Sequence, residues 1–402
     1  MFSIFFCFCC ISLPAQDKSR FPIHNHDGII TGADQSELYL PLLEGKKVGI
    51  ITNQTGIIFR KSPTNNPNYL SIDTVSIVDF LISERIQIKK IFSPEHGFRG
   101  NADAGEQVKD GKDTKTGIEI ISLYGNNKKP TQEQIKDIDI LLFDIQDVGV
   151  RFYTYISTLH YVMETAAENK IPLVILDRPN PNGHYVDGTV LEEGFQSFVG
   201  MHKVPVVYGM TIGEYARMIN GEKWLKNGLQ CELSIIPLKN YTHSKKYSLP
   251  IPPSPNLKTD HAINLYPSTC FFEGTNVSEG RGTDFPFEVY GSPYITTYDF
   301  KFIPQPNFGA KSPRYKGQVC YGKDLRDEPH LSEIKLEWIL TAYANNNKPL
   351  FFNKDLFFDK LAGTDKLRKQ IIGGKSEEEI RNSWKDDLEK FKTKRAKYLL
   401  YP

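Results

Sequence analysis

Five short apolar runs recur in the first 240 residues: 47–52 (KVGIIT), 88–93 (IKKIFS), 138–145 (IDILLFDI), 172–177 (PLVILD) and 234–238 (SIIPL). The first four, rich in aliphatic and β-branched residues, read as strands covered on both faces, and the fifth as a further strand. Between them, 73–85 and 157–169 space apolar residues at helical intervals. Strands alternating with helices imply right-handed βαβ units and a parallel sheet. The pattern breaks near residue 240. A Pro-rich extended stretch comes next at 249–256 (LPIPPSPN), then an aromatic, loop-rich region to about 313. Beyond it, 315–321 reads as a strand, 331–345 as an amphipathic helix and 376–398 as a charged helix. The expected fold is α/β: a Rossmann-like parallel sheet domain over 38–240, followed by a smaller α+β domain over 241–402. A chain of 402 residues is long enough for both.

Lys plus Arg total 49 against 48 acidic residues, and that balance argues against a nucleic-acid partner. A hydrophobic content of 40% argues against a membrane-embedded chain, and no protein partner is evident. Three of the six cysteines, Cys7, Cys9 and Cys10, fall inside an apolar run at 2–13 (FSIFFCFCCISL) followed by Pro14-Ala15-Gln16. The run is too short to span a membrane as a mature helix and suits a signal peptide over 1–15, although no Lys or Arg precedes it. A buried N-terminus is the alternative. Removal of the segment makes the protein periplasmic or secreted. It leaves Cys231, Cys270 and Cys320, enough for one disulfide at most.

In an open parallel sheet, ligands bind outside the carboxyl ends of the strands, so the residues just after each strand carry the most information about a site. The first strand exits into Asn53-Gln54-Thr55-Gly56 and the second into 93–100 (SPEHGFRG), which holds Glu95, His96 and Arg99. The third exits into Asp144, Gln146, Asp147, Arg151 and Tyr153; the fourth into Asp177-Arg178-Pro179-Asn180. Four polar exits on one sheet edge describe a site. Glu95, held between Pro94 and His96-Gly97, suits a general acid, or else pairs with Arg99 or caps the next segment. Arg151 and Arg178 suit a bidentate anion clamp, or else pin loops. Asp144 and Asp147 are candidate catalytic carboxylates, metal ligands or partners of Arg151. No metal-ligand spacing accompanies them, and no metal or cofactor is expected. Gly-x-Gly-x-x-Gly, P-loop and Gly-x-Ser-x-Gly signatures are absent, which leaves carboxylate chemistry. The second half adds Ser254-Pro255-Asn256 and an ordered polar loop from Glu273 to Thr283, bounded by Phe271, Phe272, Phe285 and Phe287.

Together these segments resemble the exo-β-N-acetylmuramidases of glycoside hydrolase family 171, formerly a domain of unknown function. The matching motifs are 52–56 (TNQTG), 92–100 (FSPEHGFRG), 104–106 (AGE), 122–125 (SLYG), 143–159 (FDIQDVGVRFYTYISTL), 177–183 (DRPNPNG), 208–214 (YGMTIGE), 253–256 (PSPN) and 273–288. The resemblance implies a Rossmann-like domain, a smaller C-terminal domain and an active site in the cleft between them. It also implies release of N-acetylmuramic acid from the non-reducing ends of peptidoglycan-derived disaccharides or muropeptides. By that resemblance Glu95 is the general acid, beside His96, and its partner is one of Asp144, Asp147, Glu164 and Glu273. Retaining, inverting and acetamido-assisted routes all stay open. Arg99, Arg151, Arg178 and Arg281 could hold the lactyl carboxylate, and Tyr153, Tyr208 and Phe287 could wall the sugar. Asn53, Gln146, Asn180, Asn256 and Asn276 are further candidates for substrate binding. A non-catalytic muropeptide-binding protein and a metal-dependent amidase or deacetylase are the competing readings.

Overall fold

The protein is described from a computed structural model that covers residues 28–63, 70–99 and 110–402. The expected signal peptide, with Cys7, Cys9 and Cys10, and the 104–106 motif lie outside those residues. Twelve strands are numbered along the described chain: β1 Lys47–Thr52, β2 Ile57–Pro63, β3 Leu70–Ser76, β4 Gln87–Ser93, β5 Gly111–Lys112, β6 Glu119–Ser122, β7 Ile140–Asp144, β8 Leu173–Leu176, β9 Leu233–Ile236, β10 Val289–Ser292, β11 Phe300–Phe302 and β12 Cys320–Asp324.

Seven of these form one sheet in the order β5-β6-β4-β1-β7-β8-β9, all parallel except the edge pair β5 and β6. Each predicted apolar run contributes one of its strands. β1, β7 and β8 are buried almost throughout, as strands covered by helices on both faces must be. From β1 the chain builds outward through β4 and β6, then returns to add β7 on the other side of β1. The carboxyl ends of β4, β1 and β7 therefore flank the switch point where such sheets bind ligands.

The C-terminal part adds a three-stranded antiparallel sheet, β10-β12-β11, and several helices. The last helix, Glu377–Arg395, starts from a capping box in which Ser376 and Glu379 bond each other's backbone. Ile380, Trp384, Leu388 and Phe391 form its buried stripe. One cluster of buried side chains runs from Ile51 and Phe143 on the sheet through Phe152, Phe271 and Trp338 to Phe391, without a break between the two halves. A second cluster, with Val48, Ile50, Leu142 and Leu176, fills the opposite sheet face. Cys231, Cys270 and Cys320 are buried and unpaired.

Three sequence expectations need correction. The helix expected over 73–85 is only Ile77–Ser83, because residues up to Ser76 belong to β3. There the β-branched Thr74 and Val75 lie across from Phe59 and Ile58 of β2, and the Ser76 hydroxyl caps the short helix that remains. The strand expected over 315–321 begins at Cys320, since Tyr315 and Gly317 take left-handed conformations that turn the chain first. The helix expected from 331 begins at Leu336.

Arg151 stitches the two halves together. It is fully buried, and its guanidinium donates to the carbonyls of Thr189 and Val204 at 2.7 Å and of Leu361 at 3.0 Å. Burial lowers its pKa to about 9. Arg151→Met would keep much of the volume but leave three buried carbonyls without donors. A loss of about 3 kcal/mol in urea unfolding is expected; a loss under about 0.5 kcal/mol would show that these bonds contribute little.

Candidate active site

A cavity of about 250 Å³ opens at the carboxyl ends of β4 and β7. Glu95, His96, Tyr124, Phe152, Tyr153, Thr154, Phe198 and Val199 line it from the first half; Ser254, Leu257, Tyr266, Glu273, Arg281, Phe287 and Phe357 line it from the second.

Glu95 reaches this wall through a tight turn after β4, closed by the Gly97 amide donating to the Pro94 carbonyl at 3.0 Å. His96 and Gly97 both sit at positive φ, 70° and 73°. For a non-glycine residue this costs about 1 kcal/mol, which the burial of His96 must offset. Opposite, Thr154 precedes the helix Tyr155–Asn169. It occupies the capping position without capping: its hydroxyl donates to Glu95 Oε2 at 2.8 Å. Glu95 thus lies at the positive end of a 15-residue helix dipole.

Across the cavity, Arg281 holds Glu273 at 2.6 Å and Glu279 at 3.0 Å, and its guanidinium lies 5.2 Å from the Phe287 ring centre. Burial pushes the Glu273 carboxyl above the usual carboxylate range; the Arg281 charge opposes this, while Glu279 and Glu95 add to it. Three carboxyl groups therefore face one guanidinium. Phe287 also takes a left-handed φ of 65°, and its ring meets Tyr266 edge-on at 4.9 Å. Tyr266 in turn meets Phe152 at 5.3 Å and Tyr153 at 6.0 Å, so the cavity floor is an edge-to-face aromatic stack.

Of the residues singled out from the sequence, Glu95, His96, Tyr153, Ser254, Glu273, Arg281 and Phe287 meet at this cavity. The rest do not line it. Asp144 and Arg178 form a buried bidentate pair at 2.6 and 2.9 Å that braces the ends of β7 and β8. Glu164 pairs with Lys129 at 2.6 Å and accepts the Lys226 amide. Arg99 pairs with Asp113 at 2.5 Å, and Arg151 is committed to carbonyls. Asp147 accepts the Tyr208 hydroxyl and the Gly149 amide, so Tyr208 is a brace and not a wall. Asn53 binds the Tyr155 hydroxyl and the Thr55 backbone. Gln146 donates to the Pro179 carbonyl, Asn180 to Met210, Asn256 to Gly309, and Asn276 to the Asn346 side chain.

The cavity also recruits residues that the sequence reading passed over, chiefly Thr154, Tyr124, Phe198 and Tyr266. Thr154 and Tyr124 lie inside quoted motifs, which was the available signal. Among the described residues no group of three His, Cys, Asp or Glu gathers to hold a metal.

The profiles for the N-terminal and C-terminal parts of the exo-beta-N-acetylmuramidase NamZ family match residues 48–261 and 264–401. The peptidoglycan beta-N-acetylmuramidase NamZ of Bacillus subtilis (strain 168) is 39% identical over 384 residues, covering 90% of this chain and 89% of that protein. A crystal structure of a DUF1343 family protein from Bacteroides fragilis NCTC 9343 superposes with a TM-score of 0.81 at 45% identity, covering 93% of this chain and 99% of that one. A second such protein from the same organism gives 0.77 at 30% identity, with the same coverage.

Asp147 supplies a test of how the region is braced. Burial raises its carboxyl to about 6, against the Tyr208 and backbone hydrogen bonds that lower it. Between pH 4 and 6 the unfolded chain then loses a proton that the folded chain keeps, so this group weakens stability as pH rises. One Asp147 oxygen has no hydrogen-bond partner, so Asp147→Asn can keep both existing bonds. The variant should unfold with a flatter pH dependence between 4 and 6 and be more stable at pH 7 by up to about 3 kcal/mol. An unchanged slope would refute the assignment.

Proposed function

The chain belongs to the exo-beta-N-acetylmuramidase NamZ family, and from that premise we propose that it cleaves N-acetylmuramic acid from the non-reducing ends of peptidoglycan fragments, with Glu95 as general acid. It is a glycosidase. The observation that carries the roles is a pair of carboxyl groups, Glu95 and Glu273, on facing walls of one aromatic-floored cavity and within electrostatic reach of each other.

Two such groups in a desolvated site resist double ionisation, and glycoside cleavage needs one protonated and one charged. Glu273 is tied to a guanidinium, which favours a carboxylate. Glu95 is tied to a hydroxyl, which serves a carboxylate as donor and a carboxylic acid as acceptor. On this reading Glu95 protonates the leaving oxygen, helped by a substrate that displaces water and brings its own negative charge. Glu273 faces the charge that develops at the anomeric carbon or orients the 2-acetamido group. Thr154 is the positioning residue. A second reading exchanges the two glutamates: Thr154 and the helix dipole favour a charged Glu95, and Glu273 is the carboxyl with the raised pKa. The apolar run at 2–13 supports action in the periplasm or outside the cell.

Leaving-group dependence separates the two readings. Glu95→Gln should lower kcat about a thousandfold on a disaccharide, whose leaving oxygen needs a proton, and far less on a dinitrophenyl N-acetylmuramide, which does not. Finding that selective rescue in Glu273→Gln instead would assign the acid to Glu273. A muropeptide-binding protein without activity would turn over neither substrate before any substitution. Thr154→Val keeps the shape but removes the donor. It should lower kcat about tenfold, and Thr154→Ser, which keeps the donor, should restore most of it; a Thr154→Val kcat within about twofold of the wild type would limit Thr154 to packing.

A further inference from the structure

Resting on that reading, we propose that Lys128, seated on the Tyr124–Phe198 wall, is the residue that selects for the substrate's lactyl carboxylate. The need for such a group is electrostatic. Glu95, Glu273 and Glu279 face a single cavity-lining guanidinium, so this side of the cavity repels an anionic sugar. The four arginines first suggested as a clamp are all committed. Arg281 serves two glutamates, Arg99 pairs with Asp113, Arg178 with Asp144, and Arg151 bonds only carbonyls. Arg314, beside Glu273, also spends its guanidinium on backbone carbonyls, those of Thr275 and Glu273.

Lys128 differs from all of these. Its ammonium lies 4.7 Å from the centre of the Phe198 ring, and no carboxylate of the described residues pairs with it. Phe198 lines the cavity, and so does Tyr124, whose ring lies 6.0 Å from it. Lys128 is half-buried, on the loop that leaves β6 through the 122–125 motif. The neighbouring Lys129 is held by Glu164 and Glu168, so Lys128 carries the loop's uncommitted charge. An ammonium over an aromatic face keeps its donors available while the ring restricts its position. In the substrate, the lactyl ether sits on C3, two ring carbons from the anomeric C1. A sugar with its glycosidic oxygen at Glu95 and Glu273 can then turn its carboxylate toward the aromatic wall. Charge thereby fixes which way round the ring lies.

The test compares the wild type with Lys128→Met and Lys128→Arg on a chromogenic N-acetylmuramide and on its lactyl amide, which lacks the charge. Lys128→Met should raise KM for the acid substrate about tenfold with kcat changed less than twofold, and leave KM for the amide unchanged. Lys128→Arg should keep KM for the acid within about threefold, which distinguishes a role for charge from a loss of packing. Equal KM for the acid in Lys128→Met and wild type would overturn the proposal while leaving the glycosidase reading intact. A wild type that turns over no N-acetylmuramide would remove both.

Discussion

Every strand of a parallel sheet delivers its chain to the same edge, so the polar groups that turn the chain there crowd into one desolvated region and have to satisfy one another. This protein meets most of the demand with internal partners, although Ser93 Oγ and Asp147 Oδ1 are buried without one. Asp144 and Arg178 brace two neighbouring strand ends, and Asp177 accepts from Thr211, Gly213 and Tyr401. Asn53, Gln146 and Asn180 each bind backbone or hydroxyl groups of adjacent loops. An unpaired polar atom in this region would cost more than a hydrogen bond contributes, so most of the edge is structural. The cavity lies beside the turn that carries Glu95.

The strands were legible because burial on both faces leaves a plain signature, an apolar run of fixed length. The position of the site was legible for a related reason: polar residues after successive strands of one sheet meet at one edge. Which of them face a ligand was not. Arg178 finds Asp144 across 34 residues, and Arg151 finds Leu361 across 210, so their engagement depends on contacts that no local pattern encodes. Thr154 escaped notice because a threonine before a helix reads as a cap, and only the fold shows its hydroxyl spent on Glu95. The error at 73–85 had another cause: the same apolar spacing serves a helix or a hairpin strand, and pairing with β2 decided between them.

The cavity divides into two electrical halves. On one side a cluster of carboxyls is partly neutralised by Arg281, and its excess negative charge suits proton transfer and the stabilisation of a positive anomeric centre. On the other lie the rings of Tyr124 and Phe198, whose faces are apolar. Left-handed residues occur on both walls, His96 and Phe287, and each is buried. Strain of that kind persists only where the surroundings leave no alternative, so both walls are set by packing before any ligand arrives.

The unbroken core beneath the two halves bears on how sugars are chosen. A jaw that closes on its ligand needs a seam along which two bodies can part cheaply. Here Phe152, Tyr266 and Phe271 interlock across the place where a seam would run, and Arg151 crosses it with a hydrogen bond to the Leu361 carbonyl while two more anchor it to its own half. Opening it would put a large apolar area into water at about 25 cal/mol per Å². The pocket therefore behaves as a mould: its width is fixed at folding, and a chain end is sorted by outline before chemistry begins.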